Sequence, residues 1–400
     1  MGETANFLEE KIAARIGRAQ LPLFNQLADL SLQHNAIDLG SGKPDFPVEE
    51  RFKAAAVQAI QQDFNQYAPQ YGIAPLRQGI ARRLLQKGGI AFDPDQEVTV
   101  GSGAAESLAA TLLAIVDPGD EVIIPVPAFP AYSGNVHLAG GKPVYLELTQ
   151  PGFRLQKERL EAAITSRTKA LLLNSPHNPS GRIFSREELQ TVAELSQKYG
   201  FLVVTDEIYD EIYFGGQAPV PIWQLPGMRE RTVIVNGFSK AYSVTGWRLG
   251  YVVAAAPLTK AIRKAHHFLV LGSAHPLQLG AVEAISSQED YYRNLRRDYA
   301  ARLTVLQTGL DALAIPYLAP EGGYFILADF SGWGWRDDLE FAKTLTSQAG
   351  VSARPLSGFN PADSQPDGSL WLRLAFCKQE QVLAEAVKRL QQFSHLKRKG

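Results

Sequence analysis

The feature that most constrains this 400-residue chain is a series of short apolar runs, most of them separated by amphipathic segments of helix length. The runs do not alternate between apolar and polar residues, which predicts strands buried on both faces. We predict strands at Val98–Val100, Glu121–Ile124, Ala170–Leu173, Phe201–Thr205, Thr232–Val235 and Tyr251–Ala254, and helices near 104–116, 131–139, 185–199 and 259–269. This order indicates the α/β class, with a mostly parallel central sheet flanked by helices.

The sequence changes character after about residue 285. Ser287–Leu313 is long, charged and periodic, which predicts one extended helix. Strands are predicted at Glu321–Phe330 and Leu370–Phe376, followed by a closing helix at Gln379–Phe393, and residues 3–33 are expected to be mainly helical. We therefore expect a large α/β domain over residues 46–285. Residues 1–45 and 286–400 are expected to form a smaller α+β domain that closes over a substrate.

Composition excludes several classes of function. The chain has 40 basic and 41 acidic residues, so its net charge of −1 gives no broad basic surface for nucleic acid or an anionic membrane. No run of 18 apolar residues occurs, so no membrane-spanning helix is expected. The single cysteine, Cys377, can form neither an internal disulfide nor a paired-cysteine metal site, and no metal site is predicted. The first residues lack the apolar core of a signal peptide, which favours a cytoplasmic protein.

Chemically useful side chains follow five of the predicted strands. In an open parallel sheet, ligands bind outside the carboxyl ends of the strands, so these side chains are expected to face one crevice. They are a glycine-rich turn at 101–107, Phe129, Asn178, the pair Asp206 and Tyr209, and the pair Lys240 and Arg248.

Each of these features has an ordinary structural explanation when it is taken alone. The glycine-rich turn fails the dinucleotide pattern because Glu106 stands at the third glycine position, although a helix N-terminus there still suits an anion. Together, however, the features meet the needs of pyridoxal phosphate. A lysine amine reacts with its aldehyde, a buried carboxylate keeps its ring nitrogen protonated, and an aromatic side chain stacks on its ring. An arginine and backbone amides suit its phosphate.

The sequence resembles the class I aminotransferases of the fold-type-I pyridoxal phosphate superfamily over about 15–390. The resemblance is carried by SPHNPSG (175–181), VTDEIY (204–209) and GFSKAYSVTGWRLGY (237–251), in that order and spacing. Within the family it is similar to the branch of kynurenine, glutamine–phenylpyruvate and methionine aminotransferases. Further support comes from NQYAPQYGIAPLRQGIA (65–81), EGGYFILADFS (321–331) and LRLAFCK (372–378).

The resemblance implies a role for each matching residue. Lys240 would bind the cofactor covalently and later move the substrate proton, and Asp206 would pair with the ring nitrogen. The ring oxygen would be held by Tyr209 and Asn178, and the ring face by Phe129. The phosphate would be held by Ser239, Arg248 and the turn at Gly103, Ala104 and Ala105.

The same resemblance implies how a substrate and a second subunit are used. Arg373 would pair with the substrate α-carboxylate, helped by Asn178 and the backbone of Gly42. Tyr67 would reach the phosphate in the neighbouring subunit, which implies a homodimer with shared active sites.

The expected activity is transfer of an amino group between an L-amino acid and a 2-oxo acid by a ping-pong mechanism. No second arginine is matched to a dicarboxylate, which favours a neutral or aromatic donor. Two alternatives stay open, namely a β-lyase acting on cysteine conjugates with the same residues, and an aspartate-type aminotransferase. A non-enzymatic sensor module of a transcription regulator is disfavoured, because such a protein needs a winged helix ahead of this region.

Overall fold

The computed structural model describes residues 11–13, 16–17, 24–150, 152–216, 218–361 and 370–394. The β-strands within these ranges form three sheets. In chain order they are β1 Ile37–Asp38, β2 Val98–Gly101, β3 Glu121–Val126, β4 Lys142–Glu147, β5 Thr168–Asn174, β6 Leu202–Asp206, β7 Thr232–Gly237, β8 Gly250–Val253, β9 Tyr317–Leu318, β10 Phe325–Asp329, β11 Val351–Ser352, β12 Arg354–Pro355 and β13 Trp371–Ala375.

The α-helices cover both faces of the largest sheet. They are α1 Phe24–Gln33, α2 Glu50–Gln61, α3 Ala74–Gly88, α4 Gly103–Ile115, α5 Ala131–Leu138, α6 Lys157–Ala163, α7 Arg186–Tyr199, α8 Ala256–Val270, α9 His275–Ile285, α10 Glu289–Ala312, α11 Asp338–Thr344 and α12 Glu380–Phe393. In the part of the chain that is described, none of them is both long and apolar enough to cross a bilayer.

The largest sheet has seven strands in the order β2-β8-β7-β6-β5-β3-β4. Strands β7, β6, β5, β3 and β4 are parallel, whereas β8 runs antiparallel to both of its neighbours. The predicted α/β fold with a mostly parallel sheet is therefore confirmed, and all six predicted strands are present with ends shifted by at most two residues. Strand β4 was not predicted. It is an edge strand with a partly exposed face, so it lacks the continuous apolar run that marks the inner strands.

Both faces of the inner strands are buried, as the sequence predicts. In β6, Val203 packs into the core on one face of the sheet, and the next residue, Val204, packs into the core on the other. Ile123 and Ile124 of β3 divide in the same way. Because successive side chains of a strand point to opposite faces, a strand covered on both sides needs apolar residues in sequence.

Helix α7 shows how local sequence sets the boundaries of an element. Ser185 accepts a hydrogen bond from the Glu188 backbone N–H, and the Glu188 side chain accepts one from the Ser185 N–H, which completes a capping box. Gly200 ends the helix with a φ of 81°, a conformation that glycine adopts without steric cost. The predicted helix at 185–199 is thus confirmed. Helices α2, α3, α6, α9 and α11 were not predicted.

The part of the chain after α9 forms a separate sheet, with strand order β12-β13-β10-β9 and antiparallel pairing. Helices α10 and α12 confirm the long helix and the closing helix that the sequence predicts. The strand predicted at Glu321–Phe330 is wrong at its start, since β10 covers only Phe325–Asp329. Its first residues form a turn in which Gly323 has a φ of 70°.

Only part of the helical segment predicted at 3–33 can be compared, since residues 1–10, 14–15 and 18–23 lie outside the described residues. Within it, α1 covers Phe24–Gln33. The domain boundary near residue 285 stays a prediction.

Candidate active site

A cavity of about 240 Å³ lies at the carboxyl ends of the parallel strands. It brings together eleven of the residues that the sequence singles out: Gly42, Ala104, Ala105, Phe129, Asn178, Asp206, Tyr209, Ser239, Lys240, Arg248 and Arg373. Two other predicted residues do not line it. Gly103 begins α4 beside it, and Tyr67 lies on the surface with 85% of its area exposed.

The loops that carry these residues are tied to one another at the strand ends. The Asn174 side chain, at the end of β5, donates from Nδ2 to the Asp206 carbonyl at 2.9 Å. Its Oδ1 accepts a hydrogen bond from the Asn178 N–H at 2.8 Å. One asparagine therefore fixes the end of β6 relative to the loop that follows β5.

Asp206 lies at the base of the cavity and accepts hydrogen bonds from neutral donors. The Tyr132 hydroxyl donates to Oδ2 at 2.7 Å and the Ile208 N–H to Oδ1 at 3.1 Å. Burial raises the pKa of the carboxyl above its ordinary value, and these two hydrogen bonds and the charge of Lys240 offset only part of that rise. Sequence reasoning missed Tyr132, which is 74 residues away from Asp206 in the chain, although it lies three residues after Phe129.

Lys240 extends from the loop after β7 into the same cavity. Its Nζ donates to the Gly42 carbonyl at 3.2 Å, which links the large sheet to the segment after β1. Burial, together with the charges of Arg373 and Arg248, lowers the pKa of this amine to about 8. A lysine with this pKa has an appreciable neutral fraction near neutral pH, and neutral amine is the nucleophilic form.

Arg373 reaches the cavity from β13, on the side opposite the parallel sheet. Its Nη1 donates to Asn178 Oδ1 at 2.7 Å, and its Nη2 donates to the Gly40 carbonyl at 2.5 Å. The guanidinium lies 3.8 Å from the centre of the Phe325 ring. Burial lowers its pKa to about 10, so Arg373 keeps its positive charge at neutral pH and suits a carboxylate.

The N-terminus of α4 and Arg248 form a cradle for an anion. Gly103 has a φ of 85°, and a Cβ there would lie 2.6 Å from Arg248 Nη2. A Cβ at Gly250 would lie 2.5 Å from the Ala104 nitrogen. Both positions exclude a side chain, which leaves the first amides of the helix and the guanidinium close together. Free amides at a helix N-terminus and a guanidinium are the donors that a phosphate prefers.

This set of donors fits pyridoxal phosphate. The cradle suits its phosphate, the buried Asp206 carboxylate suits its protonated ring nitrogen, and Lys240 suits its aldehyde. Sequence reasoning also missed five other residues of the cavity lining, namely Leu108, Ala131, Asn135, Ile208 and Phe325. Ile208 and Phe325 lie within quoted motifs, but no role was assigned to them.

Comparisons with known proteins also indicate a pyridoxal phosphate-dependent enzyme, and the similarity extends over almost the whole chain. The family model for aminotransferase class I and II matches residues 34–390. Methionine aminotransferase of Escherichia coli K12 is 35% identical over 370 residues, which cover 92% of this chain and 95% of that protein. Aspartate aminotransferase of Geobacillus stearothermophilus is 33% identical, over 96% of this chain and 98% of that protein.

A solved structure extends the likeness to the fold. N-succinyldiaminopimelate aminotransferase of Mycobacterium tuberculosis superimposes with a TM-score of 0.92 at 34% identity, and the match covers 96% of this chain and all of that one. The fold is therefore that of the fold-type-I enzymes. The chain belongs to the class I and II aminotransferases, pyridoxal phosphate-dependent enzymes that exchange an amino group between an amino acid and a 2-oxo acid.

Proposed function

We propose that this enzyme takes its amino group from a neutral or aromatic L-amino acid and that the cavity at the strand ends is its active site. The observation that carries the proposal is the placement of the Lys240 amine, the Asp206 carboxylate and the Arg373 guanidinium around one cavity. When bound, the cofactor supplies an aldehyde and a cationic ring that accepts electrons from the substrate Cα.

The chain's own residues would hold the cofactor at three places. Asp206, held by Tyr132 and Ile208, would keep the ring nitrogen protonated, because an opposite charge favours the charged form. Tyr209 and Asn178 would donate to the ring oxygen. Since Asn178 Oδ1 accepts from Arg373, its Nδ2 is the group that would donate. The remaining contacts would be Phe129 on the ring face and Ser239, Arg248, Gly103, Ala104 and Ala105 at the phosphate.

Lys240 would act as the general acid and base. Its pKa of about 8 suits a group that takes a proton from Cα and returns it near neutral pH. The Gly42 carbonyl, 3.2 Å from Nζ, would hold the amine on the substrate side of the cavity. Proton transfer would therefore depend on the segment after β1 as well as on the large sheet.

Arg373 would bind the substrate α-carboxylate. Its two terminal nitrogens are oriented by Asn178 and Gly40, and its Nε is buried with no hydrogen-bond partner among the described residues. A carboxylate in the cavity would supply an acceptor for this guanidinium.

The preference for a neutral side chain follows from the charges of the cavity lining. Among the described residues that line it, the basic ones are Lys240, Arg248 and Arg373, and each already has a proposed role. Next to Arg373 the wall is apolar, with Phe325 in the lining and the Phe359 ring 4.8 Å from the guanidinium. A side-chain carboxylate would lose its hydration there without gaining a cation.

A panel of donors tests the substrate class. Methionine, phenylalanine, kynurenine, glutamine and aspartate should be tried against pyruvate, 2-oxoglutarate, glyoxylate and phenylpyruvate. We expect methionine or an aromatic donor to give the highest kcat/KM. If aspartate is the best donor by far, the enzyme is of the aspartate type. Pyruvate and ammonia released from a cysteine conjugate without an acceptor would favour the β-lyase.

We also propose a homodimer with shared active sites. Tyr67 is 85% exposed, and the rings of Phe64 and His275 lie 5.3 Å apart beside it, since His275 Nδ1 is 3.3 Å from the carbonyl oxygen of Gln66. Apolar side chains clustered on a surface favour a protein partner. In a two-fold dimer, Tyr67 of each subunit would contact the phosphate of the other.

Mixing two inactive variants tests the shared site. Lys240→Ala and Tyr67→Ala should each lower activity as homodimers. In a mixed dimer, one site would combine the intact Lys240 of one subunit with the intact Tyr67 of the other. Subunit exchange should therefore restore activity above that of either variant. No recovery, or a monomer in light scattering, would contradict the shared site.

The domain division and the location also belong to this proposal. Arg373 and Gly42, from the proposed small domain of 1–45 and 286–400, face the strand ends of the proposed large domain of 46–285 across the cavity. Closure of the small domain would bring the guanidinium onto the substrate. The proposed location is the cytoplasm.

A further inference from the structure

A carboxylate lies in the first turn of the helix that is proposed to bind the phosphate. Glu106 of α4 accepts a hydrogen bond from the Ser102 N–H through Oε2 at 2.9 Å. The missing side chain of Gly101 leaves room for it, since a Cβ there would lie 2.5 Å from that oxygen. An uncompensated carboxylate at this place would repel a phosphate dianion.

His266 of α8 contacts the other oxygen of this carboxylate. Its Nδ1 lies 3.0 Å from Glu106 Oε1, and its Nε2 lies 3.0 Å from the Gln70 carbonyl oxygen. The side chain of His266 is 1% exposed and that of Glu106 is 11% exposed. Both groups that face the ring are acceptors, so both ring nitrogens must donate, and only the imidazolium form satisfies them.

The other charge near the imidazole does not reverse this conclusion. Arg263, one turn earlier in α8, disfavours the imidazolium, but it donates to the Val98 carbonyl and to Thr99 on β2. Burial also lowers the pKa of His266. The hydrogen bond and charge of Glu106, with the Gln70 carbonyl, outweigh both effects and raise the pKa above its ordinary value. Glu106 and His266 therefore form a buried ion pair behind the cradle.

We propose that His266 is a positioning residue for the cofactor phosphate, because its imidazolium cancels the charge of Glu106 and fixes the first turn of α4. The proposal rests on the placement of the phosphate at the N-terminus of α4. Through Gln70, His266 also links this cradle to the segment that carries Tyr67, which is proposed to contact the phosphate of the other subunit.

Cofactor affinity of the apoenzyme tests this role without measuring turnover. His266→Gln leaves the Glu106 charge uncompensated, so we expect its Kd for pyridoxal phosphate to rise about tenfold. Its Kd for pyridoxal, which lacks the phosphate, should not change. Glu106→Gln should bind pyridoxal phosphate at least as tightly as wild type, and Glu106→Gln combined with His266→Gln should restore the affinity. The difference in the Kd for pyridoxal phosphate between wild type and His266→Gln should shrink as pH rises, because the imidazolium of the wild type loses its proton.

His267→Gln is the matched control, since His267 is the next residue in α8 and adjacent residues of a helix face different directions. It should bind both ligands like wild type. If wild type binds pyridoxal phosphate no more tightly than pyridoxal, the proposed phosphate site itself is wrong. If wild type distinguishes the two and His266→Gln distinguishes them equally well, only the role of His266 is wrong. Should His266→Gln fail to fold, weaker binding by Glu106→Gln would overturn the charge argument.

Discussion

The segment Asp206–Glu211 carries one acidic side chain that lines the active-site cavity and another that points away from it, and the charges of these two side chains are compensated by different groups. Glu211 points away from the active-site cavity and accepts two hydrogen bonds from Arg83 Nη2 at 2.8 Å, with Lys87 Nζ at 3.2 Å. Burial acts to raise its pKa, but these two cations outweigh burial and lower it below the ordinary value. Asp206 lines the cavity, and among the described residues no basic side chain lies within 4 Å of its carboxylate.

We propose that this contrast separates an acidic group that serves the fold from one that serves a ligand. The charge of Glu211 is balanced by cations of the chain itself, so it needs no ligand, and removing it would leave buried cations uncompensated. Asp206 is held by neutral donors and has a raised pKa, so the missing cation is expected to come from the ligand. The ring nitrogen of the cofactor is such a cation.

Removing the charge of Asp206 should have the largest effect on activity. Asp206→Asn keeps the size of the side chain but no longer holds a proton on the ring nitrogen. We expect kcat to fall about 10²- to 10³-fold, in the range for losing a preorganised charge interaction in an active site. The melting temperature of the apoenzyme should not fall, because a buried charge without a cation partner is removed. A kcat within threefold of wild type would contradict the pairing.

Removing the charge of Glu211 should have the opposite pattern. Glu211→Gln leaves Arg83 and Lys87 buried with less compensation, so we expect a loss of about 3 kcal/mol in the free energy of unfolding. Urea denaturation measures this loss. The kcat of the folded variant should stay close to that of wild type. A stable variant with low kcat would remove the distinction between the two sides.

Tyr132→Phe sharpens the account of Asp206. It removes one hydrogen bond to a charged carboxylate, which should raise the pKa of Asp206 further and lower kcat about tenfold. The exposed Tyr199, which donates to Glu161, provides the control Tyr199→Phe. The ultraviolet–visible spectrum of the bound cofactor across pH gives a second readout. Unchanged kcat and spectra would show that the Ile208 N–H alone holds the carboxylate.

Glu207 affects the pH dependence of stability. Burial raises the pKa of this carboxyl to about 8, and it accepts a hydrogen bond from Trp223 Nε1 at 3.1 Å. In the unfolded chain it ionises near 4.5, so stability from this group is present below that pH and is lost as pH rises toward 8. Glu207→Gln should therefore reduce the slope of the free energy of unfolding against pH by up to about 1.4 kcal/mol per pH unit. Identical slopes for variant and wild type would contradict the raised pKa.

Sequence predicted most of the residues that line the cavity because they lie in short motifs near strand ends. Asp206 ends β6, Lys240 comes three residues after β7 and Asn178 comes four residues after β5, and the parallel topology alone brings such ends together. Contacts that join distant segments were missed. Tyr132 meets Asp206 across 74 residues and His266 meets Glu106 across 160, and no local pattern records such a pairing.

The fold shows the same division between local signals and long-range context. The inner strands were predicted from their apolar runs. Strand β4 was missed because one of its faces is partly exposed to solvent, so its sequence contains no continuous apolar run. The antiparallel direction of β8 was also not predicted, because direction depends on the path of the connecting chain and not on the strand's own residues.

Covalent mapping of the cofactor tests the central claim most directly. The reconstituted enzyme should be reduced with borohydride, digested and analysed by mass spectrometry. The account predicts a yellow enzyme and one modified lysine, Lys240, in the peptide that follows β7, and no modification in Lys240→Ala. A modification at another lysine, or no chromophore after reconstitution, would contradict the account.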